Sequence, residues 1–75
     1  MKFEVLVNSM EDAAKLVSRL EYYDYQADAK IGSHTVDARS LMALISFAMG
    51  KVIQIFVYAD ADERLQDEIR ELLVA

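Results

Sequence analysis

The side chains in this sequence that we consider as acceptors of a phosphoryl group are its one histidine and the two serines that stand where helices should begin. His34 is the only imidazole, Ser9 precedes an acidic stretch, and Ser40 precedes an uncharged apolar run. Histidine and serine act as nucleophiles when a neighbouring base or cation supports them. A serine in front of a helix is also a preferred N-cap, because its hydroxyl accepts a hydrogen bond from an otherwise unpaired backbone N–H.

Carboxylate pairs occur at two places, Glu11/Asp12 and Asp62/Glu63. Both pairs fall at predicted helix starts, where acidic side chains complement the helix dipole in contact with solvent. A carboxyl group acts as a general acid or base near neutral pH when its surroundings adjust its pKa, and adjacent exposed acids at a helix start lack such surroundings. We therefore predict no catalytic residues, and we predict that the protein is not an enzyme.

A calcium-loop frame can be drawn through Asp60, Asp62 and Glu71. Arg64 falls where a ligand is needed, and Leu65 replaces the glycine that such a loop requires. The sequence also contains no cysteine. We predict a helix at this place and neither a metal site nor a cofactor.

The length and composition indicate one small domain over residues 1–75 with its own packed core, since 55% of the residues are hydrophobic. A net charge of −5, with the eight cationic residues scattered, argues against nucleic acid as a partner. No segment has the length and hydrophobicity of a membrane span, and no targeting signal is evident. We expect a cytoplasmic protein whose partners are other proteins.

Hydrophobic periodicity predicts the element order β-α-β-β-α-β-α, with no linker or repeat. The predicted strands are residues 2–8, 25–31, 34–38 and 51–58. The predicted helices are residues 10–20 and 41–49, followed by a terminal helix that begins within residues 60–63 and turns Leu65, Ile69, Leu72 and Leu73 inward. Three helices and four strands are most simply arranged as an α+β fold, with the helices on one face of the sheet.

The predicted central helix, residues 41–49, has more apolar surface than one side can bury. Its inward stripe is predicted to be Leu41, Leu44, Ile45 and Ala48. This leaves Met42, Phe47 and Met49 as a candidate contact patch, or alternatively as packing under a neighbouring loop. On the open sheet face, Leu6 and Phe56 suggest a second patch and a possible homodimer, or else isolated surface residues.

The stretch Ala38-Arg39-Ser40-Leu41-Met42, followed by Gly50, the strand 51–58 and Asp60-x-Asp62, resembles the histidine-containing phosphocarrier protein (HPr) family of the bacterial sugar phosphotransferase system. The resemblance covers nearly the whole chain. It implies the open-faced β-sandwich of that family, with three helices on one face of a four-stranded antiparallel sheet.

The family carries phosphate on a histidine within a His-x-Arg-Pro-Ala motif at the start of its first helix. Laid without gaps back from Ser40, that motif falls on residues 9–13, and only Ala13 agrees. Ser9 takes the place of the histidine, Glu11 that of the arginine, and Asp12 that of the proline. Phosphate would be repelled by these acids, and His34 lies in the predicted hairpin instead. We predict that phosphohistidine transfer is lost, the alternative being a carrier that uses an unconventional residue.

Ser40 matches a second, regulatory phosphorylation position that the resemblance implies for many relatives. A phosphoserine there would lie at the positive end of a helix, and Arg39 beside it could add a charge-assisted contact. The alternative is an unmodified N-cap. The predicted partner surface comprises Arg39, Met42, Phe47 and Met49, and the predicted partner is a phosphotransferase-system component, a kinase or a transcriptional co-regulator. A self-associating structural module is a further alternative.

Overall fold

A computed structural model of the chain describes residues 1–74. The elements follow the predicted order, with a short 3₁₀ turn after the last helix. The strands are β1 (Lys2–Val7), β2 (Ala27–Ile31), β3 (His34–Asp37) and β4 (Lys51–Val57). The helices are α1 (Met10–Tyr22), α2 (Leu41–Phe47) and α3 (Glu63–Glu68), and the 3₁₀ turn spans Arg70–Leu72.

The four strands form one antiparallel sheet in the order β1-β4-β2-β3. Lys2 pairs with Phe56 and Val7 with Lys51 along β1 and β4. The three helices pack on one face of this sheet, which confirms the predicted fold class. The order arises because β4 enters between β1 and β2, so the strand richest in β-branched residues is central.

The core lies between the sheet and the helices. Alternate residues of β1 and β4 face it, and Val5, Ile53 and Ile55 are completely or almost completely buried. The helices contribute Leu16, Leu20, Leu44, Leu65 and Ile69, all fully buried. In the described residues, no charged or polar residue is buried with them.

The end of α1 explains why β2 begins two residues later than predicted. The N–H of Tyr25 donates to the Leu20 carbonyl (2.9 Å), and that of Asp24 donates to the Glu21 carbonyl (3.0 Å), which together form a Schellman motif. Asp24 takes the left-handed conformation that the motif requires, with φ 55°. The alternation that suggested a strand from residue 25 therefore runs through a helix cap.

The central helix is shorter than predicted, and it buries fewer of the residues that were predicted to face inward. It ends at Phe47, with Ala48 as its C-cap. Leu44 and Ala48 are buried as predicted, whereas Leu41 is 37% exposed and Ile45 is half-buried. The prediction for Leu41 was wrong because Leu41, the first residue of the helix, lines an open surface groove along α1, with Val17 and Tyr22, and does not enter the core.

The terminal helix also differs from the prediction. Its regular part ends at Glu68, and the chain then tightens into the 3₁₀ turn. Leu65, Ile69 and Leu72 are buried as predicted, but Leu73 is extended and forms an isolated bridge with Val5. Leu73 and Val74 thus lie beside the edge of β1 that does not pair with β4.

The open face of the sheet does not form the apolar patch that Leu6 and Phe56 suggested. Leu6 pairs with Val52, and Phe56 pairs with Lys2, whose ammonium lies 5.5 Å from the centre of the Phe56 ring. The Leu6–Val52 and Lys2–Phe56 pairs thus lie four ladder positions apart, and a polar pair, Glu4 and Gln54, stands between them on the same face of the sheet. No helix in residues 1–74 is long and apolar enough to cross a bilayer.

Candidate functional site

Ser9 begins α1 as predicted, and its side chain is engaged in capping. Its Oγ accepts a hydrogen bond from the Asp12 N–H at 3.2 Å. The Asp12 carboxylate in turn accepts from the Asn8 N–H at 3.0 Å. This is a capping-box arrangement in which the carboxylate reaches one residue further back than usual. The Asp12 carboxylate is therefore held at the start of α1.

The link between β1 and α1 is short, because β1 ends at Val7 and α1 begins at Met10. The Val7 carbonyl accepts a hydrogen bond from the Gly50 N–H at 2.6 Å. This bond places the Ser9 cap near the carboxyl end of α2, where Gly50 turns into β4 with φ 75°. The two serines accordingly lie towards opposite ends of α2, whose seven residues span about 10 Å.

His34 is the first residue of β3 and is exposed. Its ring stacks on Phe47 of α2, with ring centres 5.0 Å apart and planes inclined by 30°. Sequence reasoning placed His34 in the hairpin correctly but missed this contact. A hydrophobic residue at the end of a predicted helix gives no signal that a hairpin will reach it.

Ser40 caps α2 as predicted, since its Oγ accepts from the Ala43 N–H at 3.3 Å. Asp37 orders the backbone just before this cap. Its carbonyl accepts from the Ser40 N–H (3.0 Å), and its carboxylate accepts from the Arg39 N–H (2.8 Å). In contrast to α1, the first turn of α2 contains no acidic residue. Added negative charge at Ser40 would therefore meet less repulsion from the helix than at Ser9.

Arg39 does not reach towards Ser40. Its Nη1 lies 3.6 Å from the Asp24 Oδ1, so the side chain bridges from the start of α2 to the end of α1. The Asp24 side chain is 91% exposed, and such an ion pair contributes little to stability. The predicted contact between Arg39 and a modified Ser40 would require this guanidinium to leave Asp24.

The residues predicted to form a partner surface differ in their exposure. Met42 is 77% exposed and Phe47 39% exposed, while Met49 is half-buried and packs against the core. Leu41 joins the exposed residues and lines a groove of about 620 Å³ between α1 and the start of α2, together with Tyr22. We call Leu41, Met42 and Phe47 the α2 surface.

The groups whose pKa is clearly displaced lie outside α2 and its caps. They include Tyr23, whose pKa is raised to about 12, first by its hydrogen bond to Glu68 and then by burial. The hydrogen bond from Tyr25 to Asp62 likewise raises the pKa of Tyr25 and lowers that of Asp62. In residues 1–74 no cluster of three or more potential ligands is placed to hold a metal ion. Asp62 is instead the N-cap of α3.

Comparison with known proteins shows which fold this is. No model of a protein family matches the sequence, and no curated protein matches it. Solved structures of phosphocarrier proteins do match its fold. The phosphocarrier protein HPr from Bacillus anthracis superposes with a TM-score of 0.67 at 18% identity, covering 99% of this chain and 96% of that one.

Two further structures agree. HPr-C-His from Thermoanaerobacter tengcongensis gives a TM-score of 0.66 at 18% identity, covering 95% of this chain and 85% of that chain. The histidine-containing phosphocarrier protein of a Mycoplasma gives 0.67 at 13% identity, covering 95% and 89%. The chain therefore has the open-faced α+β fold of the HPr phosphocarrier proteins.

Proposed function

We propose that this chain is an HPr-like protein that has lost phosphohistidine transfer and acts as a regulatory or protein-interaction domain in the cytoplasm. The observation that supports this most directly is the start of α1. Ser9 is engaged as the N-cap, and Glu11 and Asp12 occupy the first turn. A phosphoryl group arriving there would meet two carboxylates and would have no imidazole to attack it.

A labelling experiment tests the loss of transfer. The purified chain is incubated with labelled phosphoenolpyruvate and the first enzyme of the phosphotransferase system, beside an HPr that carries the histidine motif. We expect acid-labile label on that HPr and none on this chain. Label on this chain that disappears in Ser9→Ala or His34→Ala would contradict the proposal and identify an unconventional carrier.

The α2 surface is the proposed docking site, together with Arg39 and Met49. Its support is the exposure of Met42 and Phe47 on a helix without charged residues. Methionine adapts its shape to different partners, which suits a surface used for recognition. The proposed partner is a component of the phosphotransferase system, a kinase or a transcriptional co-regulator.

Ser40 is the proposed regulatory phosphorylation site. It caps α2, and the first turn of that helix carries no acidic residue. The acid nearest to it in the sequence, Asp37, precedes the cap, and its carboxylate accepts from the Arg39 N–H. The test is incubation with a serine kinase that modifies HPr proteins, using the wild type, Ser40→Ala and, as a matched control, Ser46→Ala on the same helix. We expect label on the wild type and on Ser46→Ala only; equal label on Ser40→Ala would contradict the proposal.

A homodimer through the open sheet face is the remaining prediction about assembly. The separation of Leu6 from Phe56 by a polar pair gives it little support. Analytical ultracentrifugation decides it, and we expect a monomer. A dimer that dissociates in Val52→Lys would show that the open face is used after all.

A further inference from the structure

Side chains along one face of α1 donate hydrogen bonds to carboxylates of the carboxyl-terminal segment. Lys15, Arg19 and Tyr23 follow one another at intervals of four residues, which places these hydrogen-bond donors on one side of the helix. The segment that begins at Asp62 presents the carboxylates of Asp62, Glu68 and Glu71 to these residues and to Tyr25, and Arg64 of the same segment lies 5.3 Å from the centre of the Tyr23 ring. Both sets lie at the surface or are half-buried, so solvent and salt have access to them.

The contacts run in antiparallel order along the two segments. They are Lys15 to Glu71, Arg19 to Glu68 at 2.9 Å, Tyr23 to Glu68, and, beyond the end of α1, Tyr25 to Asp62 at 2.6 Å. We call these four contacts the latch. In every contact the donor belongs to residues 15–25 and the acceptor is a carboxylate of residues 62–71, so neutralising the carboxylates weakens all four together.

The surroundings of the carboxylates favour their charged form. The pKa of Glu68 is lowered, first by the hydrogen bond from Tyr23 and further by Arg19 and Arg64, against a burial effect that raises it. The pKa of Asp62 is lowered, first by the hydrogen bond from Tyr25 and further by Arg64. Glu71 faces Lys15. Protonation at low pH therefore removes favourable interactions that exist only in the closed arrangement.

The segment has few other attachments. Its side chains Leu65, Ile69 and Leu72 enter the core. Apart from a weak contact between the Asp62 N–H and the Met1 sulfur, its backbone meets the rest of the described chain at one place. This is the bridge between Leu73 and Val5, where the Val74 N–H donates to the Glu4 carbonyl at 2.9 Å. The strands, in contrast, are held by continuous ladders on β4. Elements with few backbone bonds to the rest open at lower free energy than the core sheet.

We propose that residues 62–74 form a charge-latched strap that opens as a unit, before the sheet unfolds, when its carboxylates are neutralised. Opening would expose Leu65, Ile69 and Leu72 together with the edge of β1 that Val74 covers. This inference does not depend on the proposed function.

Amide hydrogen exchange of the whole chain tests the strap, with protection factors corrected for the intrinsic effect of pH. The reporters in the strap are the amides of Ile69 and Val74. Those for the sheet are Val57, the last residue of β4, and Ala38, which directly follows β3 and donates to the Ala27 carbonyl of β2. All four amides donate backbone hydrogen bonds. Between neutral pH and a pH below the ordinary carboxyl pKa, we expect strap protection to fall about tenfold or more while sheet protection falls less. Equal protection of both sets at each pH would overturn the proposal.

Two variants separate the latch from a general effect of acid. At neutral pH, Glu68→Gln removes one carboxylate that accepts two of the four contacts, and we expect it to raise exchange at Ile69 and Val74 selectively. Glu63→Gln is the matched control, because Glu63 is an exposed acid on the same helix outside the latch. Identical exchange in the two variants, or a Glu68→Gln effect spread uniformly over the sheet, would also overturn the proposal.

Discussion

Ser9 and Ser40 perform the same structural task, yet their electrostatic settings differ. Each hydroxyl accepts a backbone N–H at the start of a helix. The Ser9 cap is followed by Glu11 and Asp12, whereas the first turn after Ser40 is uncharged. Because an anion at a helix start is stabilised by the dipole and destabilised by nearby acids, the two sites differ in their tolerance of phosphate. This difference is the basis of the proposed loss of one phosphorylation site and retention of the other.

Asp24 is the residue whose backbone conformation is least suited to its side chain. It is the non-glycine residue with positive φ in residues 1–74, and its only ion pair is long and exposed. We expect Asp24→Gly to raise the free energy of unfolding by about 0.5 kcal/mol, since relief of left-handed strain exceeds the added flexibility of the unfolded chain.

Urea denaturation followed by circular dichroism measures the effect of Asp24→Gly. Asp24→Ala is the control, because it removes the same ion pair but keeps a Cβ in the left-handed conformation. We expect it to destabilise the protein by about 0.5 kcal/mol. Equal stabilities of the two variants would show that the conformation of Asp24 is not strained.

At the scale of elements, α2 combines a buried side with an exposed apolar side over only seven residues. Leu44 is completely buried, whereas Met42, two positions earlier, is 77% exposed. A helix this short draws its stability from the residues it buries and not from its own hydrogen bonds. Met42 is the exposed apolar residue of α2 for which no structural contact is described, whereas Phe47 stacks on His34 and Leu41 lines the groove beside α1. The exposure of Met42 fits its proposed use in docking.

We expect Leu44→Ala to lower the free energy of unfolding by about 2–5 kcal/mol, because it leaves a cavity in the core. Met42→Ala should change it by about 0.5 kcal/mol or less. Thermal denaturation measures both values. If Met42→Ala proves as destabilising as Leu44→Ala, Met42 belongs to the core and the α2 surface is wrongly assigned.

At the scale of the whole molecule, the sheet and α1 are joined to α3 by groups that titrate at both ends of the pH range. The raised pKa of Tyr23 means that the folded protein holds this proton more tightly than the unfolded chain does. Its contribution to stability is fully present below the unfolded pKa near 10 and is lost as pH rises towards about 12. Asp62 and Glu68 behave in the opposite way, because their pKa values are lowered in the folded protein. Their contribution to stability is present at neutral pH and is lost as pH falls.

We therefore expect the wild type to lose stability between pH 10 and about 12, and Tyr23→Phe to lose less over the same interval. Urea midpoints measured across this range provide the comparison. Tyr22→Phe is the control, because Tyr22 is an exposed neighbour on the same helix. Parallel pH profiles for Tyr23→Phe and the wild type would show that the hydrogen bond to Glu68 does not govern alkaline stability.

Much of this fold follows from local patterns. The alternation in residues 2–7 and 51–57, and the serine caps at Ser9 and Ser40, depend on neighbours in the chain, and the structure confirms them. The boundaries that failed are those set by contacts the periodicity does not contain. Residue 25 belongs to the Schellman cap at Asp24, so β2 begins later than predicted. Leu73 lies in the bridge to Val5 and not on the last helix, where the periodicity placed it.

The sequence by itself determined the element order, the two capped helix starts and the acidic character of the first, because these depend on residue types within a few positions of one another. Only the tertiary structure decided that His34 stacks on Phe47, that Arg39 turns to Asp24, and that the donors of α1 face the carboxylates of the last helix. Each of these contacts joins residues far apart in the chain. Their distances are fixed by how helices pack on a sheet, which no local pattern specifies.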